Sequence, residues 1–302
     1  MREKSLAVLF LALVLSLTSA TGQKKTIKDS LGETISLKTA PERIVSLAPN
    51  ITEILFSLGL EEKIIGVTRF CDFPPETASK EKVGGLVDLS LEKILALNPD
   101  LVIGFRGNPI RLLERLKSLH LPVLAFEIEP NLESVFSLIE KIGKITCREK
   151  EAEHVVDSMK EKYSTIQAAL LKVEHRPKVF LSLHGMGLWT CGRESFLHDL
   201  LTKAKGINIA GTVPKKWLNF NREQLIQKDP DIIVILAKSQ REFAATKEWF
   251  RGYSYVKSVS AVRENRIYFL DENLATRPGP RLVDALSLLA RILHQDLLKE
   301  MK

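Results

Sequence analysis

The hydrophobic pattern of the first half of the chain alternates between short apolar runs and longer stretches with helical periodicity. A turn at 30–33 between two β-prone runs predicts an edge hairpin over 26–37. Four continuous apolar runs then have the length and composition of strands buried in a parallel sheet: 44–47, 64–67, 101–105 and 123–126. Helical patterns follow them at 51–58, 91–97, 110–119 and 132–145. This half of the chain is therefore predicted to be an α/β lobe.

The same alternation returns after a long charged helix. An amphipathic stretch runs from about residue 148 to 173 without glycine or proline, and Pro177 follows it. Three strand-like runs and a closing helix come next, at 179–183, 232–236, 267–270 and 282–298. The predicted fold class is α/β, with two Rossmann-like lobes joined by a single long helix. The ligand cleft is expected between the lobes, at the carboxyl ends of their strands.

The length and charge of the chain agree with this division. At 302 residues a single core has usually stopped growing, which favours two lobes. The predicted boundaries are 23–146 for the N-terminal lobe, 147–176 for the connecting helix and 177–302 for the C-terminal lobe. The net charge of +7 is modest, and basic and acidic residues are interleaved. We therefore expect no nucleic-acid partner, and we expect a monomer.

Residues 1–22 have the layout of a cleavable secretory signal peptide. Arg2 and Lys4 precede an apolar run over 6–17, and small residues at 18–20 come before a polar segment. No other stretch reaches the length of a membrane span. No cysteine stands at the expected cleavage site, so lipid attachment is not expected. The predicted location is the periplasm, as a free protein.

The cysteines and histidines do not predict a metal site. Cys71, Cys147 and Cys191 could form one disulfide in an exported protein and leave one thiol over, but buried or idle thiols are favoured. There is no CxxC motif, and the six histidines never fall into HxH or HxxxH spacing. We therefore predict no protein-ligated metal.

An internal repeat relates the two lobes. Residues 90–103 align without gaps on 221–234, which lie 131 positions later. In each copy a polar cap starts a short helix, a Pro-Asp turn ends it, and a buried strand follows. Glu92 and Glu223 occupy equivalent places in the first helical turn, where the helix dipole alone would favour a carboxylate by about 0.3 to 1 kcal/mol.

The loops after the predicted strands are unusually rich in aromatic residues. These loops are 68–75, 104–108, 184–189, 217–220 and 273–280. Aromatic side chains at loop tips are costly unless they cover an apolar surface, so they favour a flat apolar ligand. Packing against neighbouring loops is the alternative interpretation.

Five segments together resemble a known family of transport proteins. Residues 43–53, 71–75, 83–85, 90–100 and 277–281 resemble the helical-backbone substrate-binding proteins of ABC importers for vitamin B12, haem and iron chelates. The resemblance covers essentially the whole mature chain. Residues 99–108, and Trp217 six positions before Glu223, are most similar to the cobalamin-binding members.

The resemblance implies roles for particular residues. Phe70 would cover one side of a corrin, and the other side would be lined by Trp189, Trp217, Asn273 and Arg277. Glu92 and Glu223 match the family's carboxylates that dock into arginine pockets on the two permease subunits, which work with ATPase subunits. The protein would carry no cofactor of its own, and its transported ligand would be cobalamin.

Several positions leave other ligands open. Leu86 stands where cobalamin binders have a cleft Trp, Phe70 replaces a Tyr, and Asn273 replaces an Asp. Gly85 stands where haem binders carry an iron-ligating Tyr, which argues against tyrosinate-ligated haem. His184 could reach an axial position on cobalt or iron. Guanidinium groups suit an anionic ferric chelate, and four arginines are available for one: Arg69, Arg106, Arg193 and Arg277. A ferric siderophore or haem is therefore the alternative ligand.

An exported hydrolase is the more distant alternative. Four residues supply hydrolase side-chain types: His184, Ser195, His198 and Asp199. The chain nevertheless has no G-x-S-x-G elbow, P-loop or dinucleotide-binding glycine motif. A hydrolase also has no need of a duplicated glutamate, so we predict that the protein is not an enzyme.

Overall fold

The structure is a computed structural model that describes residues 25–32, 34–127, 130–183, 185 and 187–295. The predicted signal peptide lies outside the described residues, and so do the candidate His184 and the last three positions of the predicted closing helix, 296–298. No helix in the described part of the chain is both long enough and apolar enough to cross a membrane.

The first lobe is a five-stranded parallel sheet with helices following its strands. The strand order is β5-β4-β3-β6-β7. The strands are β3 Ile44–Ser46, β4 Ile64–Val67, β5 Glu81–Lys82, β6 Leu101–Phe105 and β7 Val123–Phe126. The helices are α1 Pro49–Ser57, α2 Leu91–Ala96, α3 Ile110–Ser118 and α4 Leu132–Thr146. Apart from the short edge strand β5, these strands are mainly apolar because neighbouring elements cover both faces of the sheet. The predicted edge hairpin is present as β1 Lys25–Lys28 and β2 Thr34–Leu37.

One long helix, α5 Glu149–Leu170, connects the lobes. The chain enters it through Cys147, whose φ of 57° ends α4 in a left-handed turn. Val156, Met159 and Ile166 of α5 are buried in one continuous apolar cluster that includes Ile139 of the first lobe and Leu286 of the second. The connecting helix therefore packs against both lobes rather than bridging solvent.

The second lobe contains a four-stranded parallel sheet and a separate antiparallel ribbon. The sheet order is β10-β8-β12-β13, with β8 Lys178–Ser182, β10 Ile207–Asn208, β12 Ile232–Ala237 and β13 Ile267–Asp271. The ribbon is formed by β9 Trp189–Cys191 and β11 Trp217–Asn219. The helices are α6 Phe196–Lys203, α7 Arg222–Lys228, α8 Gln240–Gly252, α9 Ser260–Arg263, α10 Glu272–Ala275 and α11 Leu282–Leu293. The predicted fold class, two α/β lobes with parallel sheets, is confirmed.

The internal repeat holds at the level of single hydrogen bonds. Asn98 and Asp229 both adopt left-handed backbone geometry, with φ of 46° and 42°. The Asp100 carboxylate accepts the backbone N–H of Arg43 at 3.0 Å, and Asp231 accepts the N–H of Lys178 at 2.7 Å. The two lobes are thus copies in structure as well as in sequence.

All three thiols are free, as the sequence favoured. Cys71 and Cys191 are buried, whereas Cys147 is exposed. Burial raises the pKa of Cys191 to about 12. This thiol is therefore protonated and unreactive at neutral pH.

Candidate functional site

A cleft of about 330 Å³, partly open to solvent, lies between the two lobes. Its lining comes mainly from segments that follow the carboxyl ends of the parallel strands, where α/β sheets bind ligands. The lining residues are Ala48, Pro49, Asn50, Phe70, Leu86, Phe105, Glu127, Phe196, Trp217, Lys238, Glu272, Asn273, Thr276, Arg277 and Pro278. Both lobes contribute, so a ligand in this cleft would contact both.

Aromatic rings form the walls of the cleft. Phe70 is 42% exposed and Trp217 is 36% exposed, although both line a concave surface. Phe196, which also lines the cleft, contacts Trp217 edge to face, with ring centroids 6.1 Å apart. Arg69 lies over the Phe70 ring, with its guanidinium carbon 5.2 Å from the centroid. These exposed rings offer flat apolar surface that a ligand could cover.

The charged side chains of the cleft are paired with one another. Glu127 accepts hydrogen bonds from Arg106 Nη1 at 3.1 Å and from Lys216 Nζ at 3.4 Å. Because Lys216 belongs to the second lobe, this group of charges spans the two lobes. Lys238 Nζ lies 3.9 Å from Glu272 Oε1. These pairs reduce the net charge that the cleft presents to a ligand.

Arg277 is the most completely engaged charge in the cleft. Its Nη1 donates to Glu53 Oε1 at 3.2 Å and to Asp72 Oδ1 at 2.6 Å. Its Nη2 donates to Asn273 Oδ1 at 2.8 Å and to the carbonyl oxygen of Phe70 at 3.3 Å. Partial burial alone would raise the pKa of Asp72, but the hydrogen bond and charge of Arg277 outweigh it and hold that pKa below its usual value.

The described residues do not assemble a metal site. Within them, no group of three or more His, Cys, Asp or Glu side chains is placed to hold an ion. The described lining of the cleft also contains no histidine, cysteine or tyrosine. Coordination of haem iron or of cobalt by the protein would therefore have to come from elsewhere, and the candidate His184 is outside the described residues.

The duplicated glutamates lie outside the cleft, on exposed helices. Glu92 of α2 accepts a hydrogen bond from the cap Ser90 at 3.1 Å. Glu223 of α7 pairs with Arg222 Nε at 2.7 Å. An exposed apolar residue stands three positions after each glutamate. Leu95 is 37% exposed and Ile226 is 38% exposed, so the two lobes match here as well. Residues three apart share one face of a helix, so each lobe presents a carboxylate beside an apolar side chain.

Comparison with known proteins decides the family. The sequence model of the family described as "Periplasmic binding protein" matches residues 44–274. The chain belongs to this family. Its members are solute-binding proteins rather than enzymes, and the prediction that the protein is not an enzyme is confirmed.

Three relatives place the chain within the periplasmic binding proteins. An uncharacterised ABC transporter substrate-binding lipoprotein, YvrC of Bacillus subtilis, is 30% identical over 91% of this chain and 87% of its own. A vitamin B12-binding protein of Vibrio parahaemolyticus is 26% identical over 81% of this chain and 86% of its own. Among solved structures, the apo form of the periplasmic haem-binding protein RhuT of Roseiflexus sp. RS-1 superimposes with a TM-score of 0.77 and 26% identity, covering 85% of this chain and 99% of that one.

The structure brings together four of the seven residues that the resemblance and the sequence proposed for ligand binding in this periplasmic binding protein. Phe70, Trp217, Asn273 and Arg277 all line the cleft. Arg106 lies just behind the lining, through its pair with Glu127. Trp189 is 51% exposed and stands on β9 beside β11, outside the lining, so its contact with ligand stays a prediction.

The sequence did not single out several lining residues. Three of them are the first residue after a parallel strand: Glu127 after β7, Lys238 after β12 and Glu272 after β13. Their position at the carboxyl end of a strand is the sequence signal that could have identified them. Phe196 has no such signal, because it is the first residue of α6 rather than the end of a strand, and it lies in the cleft beside Trp217 of the ribbon.

Two residues of the hydrolase alternative, Ser195 and Asp199, have structural roles. Ser195 caps α6 by accepting the backbone N–H of Leu197 at 3.3 Å. Asp199 instead accepts the N–H of Leu132 at 2.9 Å and pairs with Lys203. The contact of Asp199 with Leu132 ties α6 to α4, and Ser195 and Asp199 both serve the helix rather than each other.

Proposed function

We propose that this protein is the periplasmic substrate-binding component of an ABC importer, and that it captures a corrinoid and delivers it to a permease dimer served by ATPase subunits. The coarser part of this proposal follows from the family and from relatives named as ABC transporter and vitamin B12-binding proteins. The choice of a corrinoid depends on the chemistry of the cleft.

The observation that carries the choice is the combination of exposed aromatic walls with paired charges. Phe70 and Trp217 offer flat apolar surface. The charged lining residues have opposite charges beside them: Glu127 with Arg106 and Lys216, Lys238 with Glu272, and Arg277 with Glu53 and Asp72. A large, nearly neutral macrocycle matches such a cleft, whereas a multiply charged ferric chelate would have to compete for cations that already have partners.

Calorimetry tests the ligand class directly. The purified protein is unfolded and refolded to remove bound ligand, and is then titrated with cyanocobalamin, haemin and a ferric tris-catecholate complex. We expect cyanocobalamin to bind with one-to-one stoichiometry and at least about tenfold more tightly than the other two. Binding of only haemin or only the ferric chelate would replace the corrinoid assignment with that alternative.

Docking to the permease is proposed through Glu92 and Glu223. A permease dimer presents two equivalent faces. The repeat gives this protein two equivalent helices, each with an exposed glutamate and an exposed aliphatic side chain. The carboxylates suit arginine pockets, while Leu95 and Ile226 offer apolar contact beside them. The location is proposed to be the periplasm as a free protein, because residues 1–22 are predicted to be a signal peptide and residues 1–24 contain no cysteine.

A further inference from the structure

Four charged side chains of opposite lobes meet beside the cleft, and we call them the interlobe charge network: Glu53, Asp72, Arg277 and Arg281. The two acids belong to the first lobe and the two arginines to the second. Arg281 forms a two-pronged contact with Glu53, from Nε to Oε2 at 2.9 Å and from Nη2 to Oε1 at 2.7 Å. The side chain of Glu53 is only 3% exposed. The centre of the network, Glu53 and Arg277, is therefore nearly inaccessible to water, whereas Arg281 is 25% exposed and Asp72 is 57% exposed.

Contacts with uncharged partners extend the same junction. The Arg281 guanidinium lies 3.6 Å from the centroid of the Phe73 ring. Asn50 Nδ2 donates to the carbonyl oxygen of Pro278 at 3.2 Å. The segment from Arg277 to Arg281 is thus seated against α1 and against the loop that follows β4.

The hydrogen bonds of Arg277 leave little of its guanidinium for a ligand. Both Nη atoms are used, two bonds each, on Glu53, Asp72, Asn273 and the carbonyl of Phe70. A ligand anion at Nη1 or Nη2 would have to displace one of these partners from a side chain that is 10% exposed. Arg277 instead holds the backbone of Phe70, whose ring forms a wall of the cleft.

We infer that Arg277, Glu53 and Arg281 are positioning residues: they fix the separation of the two lobes and the place of the Phe70 wall before ligand arrives. Glu53 is not among the residues that line the cleft, so any effect of Glu53 on ligand affinity passes through the two arginines. Presetting a binding surface increases affinity because less ordering remains to be done on binding. The predicted effect on ligand affinity rests on the proposed function. The predicted effect on the separation of the lobes does not depend on it.

The first half of the test needs no ligand. Spin labels are placed on exposed positions of opposite lobes, Glu114→Cys on α3 and Ala244→Cys on α8, in a Cys147→Ser background. Cys71 and Cys191 are buried and should not be labelled. Pulsed electron spin resonance then measures the distance distribution in Glu53→Gln and in Arg281→Lys, the second of which keeps its charge but loses the two-pronged contact.

The expected result is a distance distribution about twofold wider in both variants, with cyanocobalamin affinity reduced about tenfold. The matched control is Glu248→Gln, an exposed carboxylate paired with Arg251 within α8, which should change neither quantity. If both variants have a lower melting temperature but an unchanged distance distribution and an unchanged affinity for cyanocobalamin, the network only stabilises the fold. That result would overturn the inference. If the unmutated protein does not bind cyanocobalamin, the corrinoid assignment fails, and the ligand-free distances still decide whether the network positions the lobes.

Discussion

Replacing Trp217 with alanine should weaken corrinoid binding by an amount that the structure allows us to estimate. Trp217 is 36% exposed, and of about 250 Å² for a tryptophan this leaves about 90 Å² for a ligand to cover. At about 25 cal/mol per Å² the lost contact is about 2.2 kcal/mol, or about a 40-fold higher Kd. The contact between Phe196 and Trp217 would also be lost, which would lower the free energy of unfolding by about 0.5 to 1.5 kcal/mol.

Two control variants separate the ring's contact with ligand from general effects. Trp249→Ala removes another tryptophan, one that packs against Phe250 and Tyr253 and does not line the cleft. Arg193→Ala removes an exposed charge that also lies outside the lining. Both should keep the affinity for cyanocobalamin within about threefold of the unmutated protein when measured by calorimetry. If Trp217→Ala changes the affinity no more than these controls do, the aromatic wall is not a ligand surface and the reasoning is refuted.

Three further predictions concern docking, acid stability and motion. Replacing both Glu92 and Glu223 with alanine should leave ligand affinity and melting nearly unchanged but abolish stimulation of the importer's ATPase; a loss of ligand binding would contradict the docking role. Because the pKa of Asp72 in the folded protein is held below its ordinary value of 3.8, its stabilising effect should be complete above pH 3.8 and be lost as pH falls through the lower folded-state pKa. Asp72→Asn should therefore flatten the acid limb of the melting-temperature profile, and an unchanged limb would count against the network. Solution scattering should show the lobes closing by only a few degrees on adding cyanocobalamin, because the connecting helix packs into both lobes, and a large contraction would contradict this rigidity.

The sheets could be predicted from sequence because their strands carry strong local signals. Continuous apolar runs such as 101–105 and 232–236 correspond to β6 and β12, within one residue at each end. Those strands are buried on both faces, so their composition reflects the fold directly. The repeat also located α2 and α7, since a cap and a Pro-Asp turn delimit each of them.

The antiparallel ribbon was not predicted from the sequence, because its strands are too short to give a local signal. Its strands β9 and β11 have three residues each and are separated by the 25 residues 192–216, so neither a long periodic run nor a short hairpin turn indicates them in the sequence. The ribbon nevertheless places Trp217 in the cleft.

The pairing partners of the arginines could not be read from the sequence either. Arg277 was proposed to contact ligand because its neighbours resemble a family motif. Its partner Glu53 lies 224 positions away on α1, and only the packing of the two lobes brings them together. Contacts of that kind depend on the tertiary arrangement rather than on any local pattern.

The ligand bound by the protein in its own host tests the central claim most directly. The protein is purified from that host without unfolding, its visible spectrum is recorded, and the released small molecule is identified by mass spectrometry. The account predicts a corrinoid spectrum and a cobalt-containing mass in one-to-one ratio with the protein. A haem spectrum, or an iron complex of a siderophore, would contradict the assignment of a nearly neutral corrinoid to this cleft.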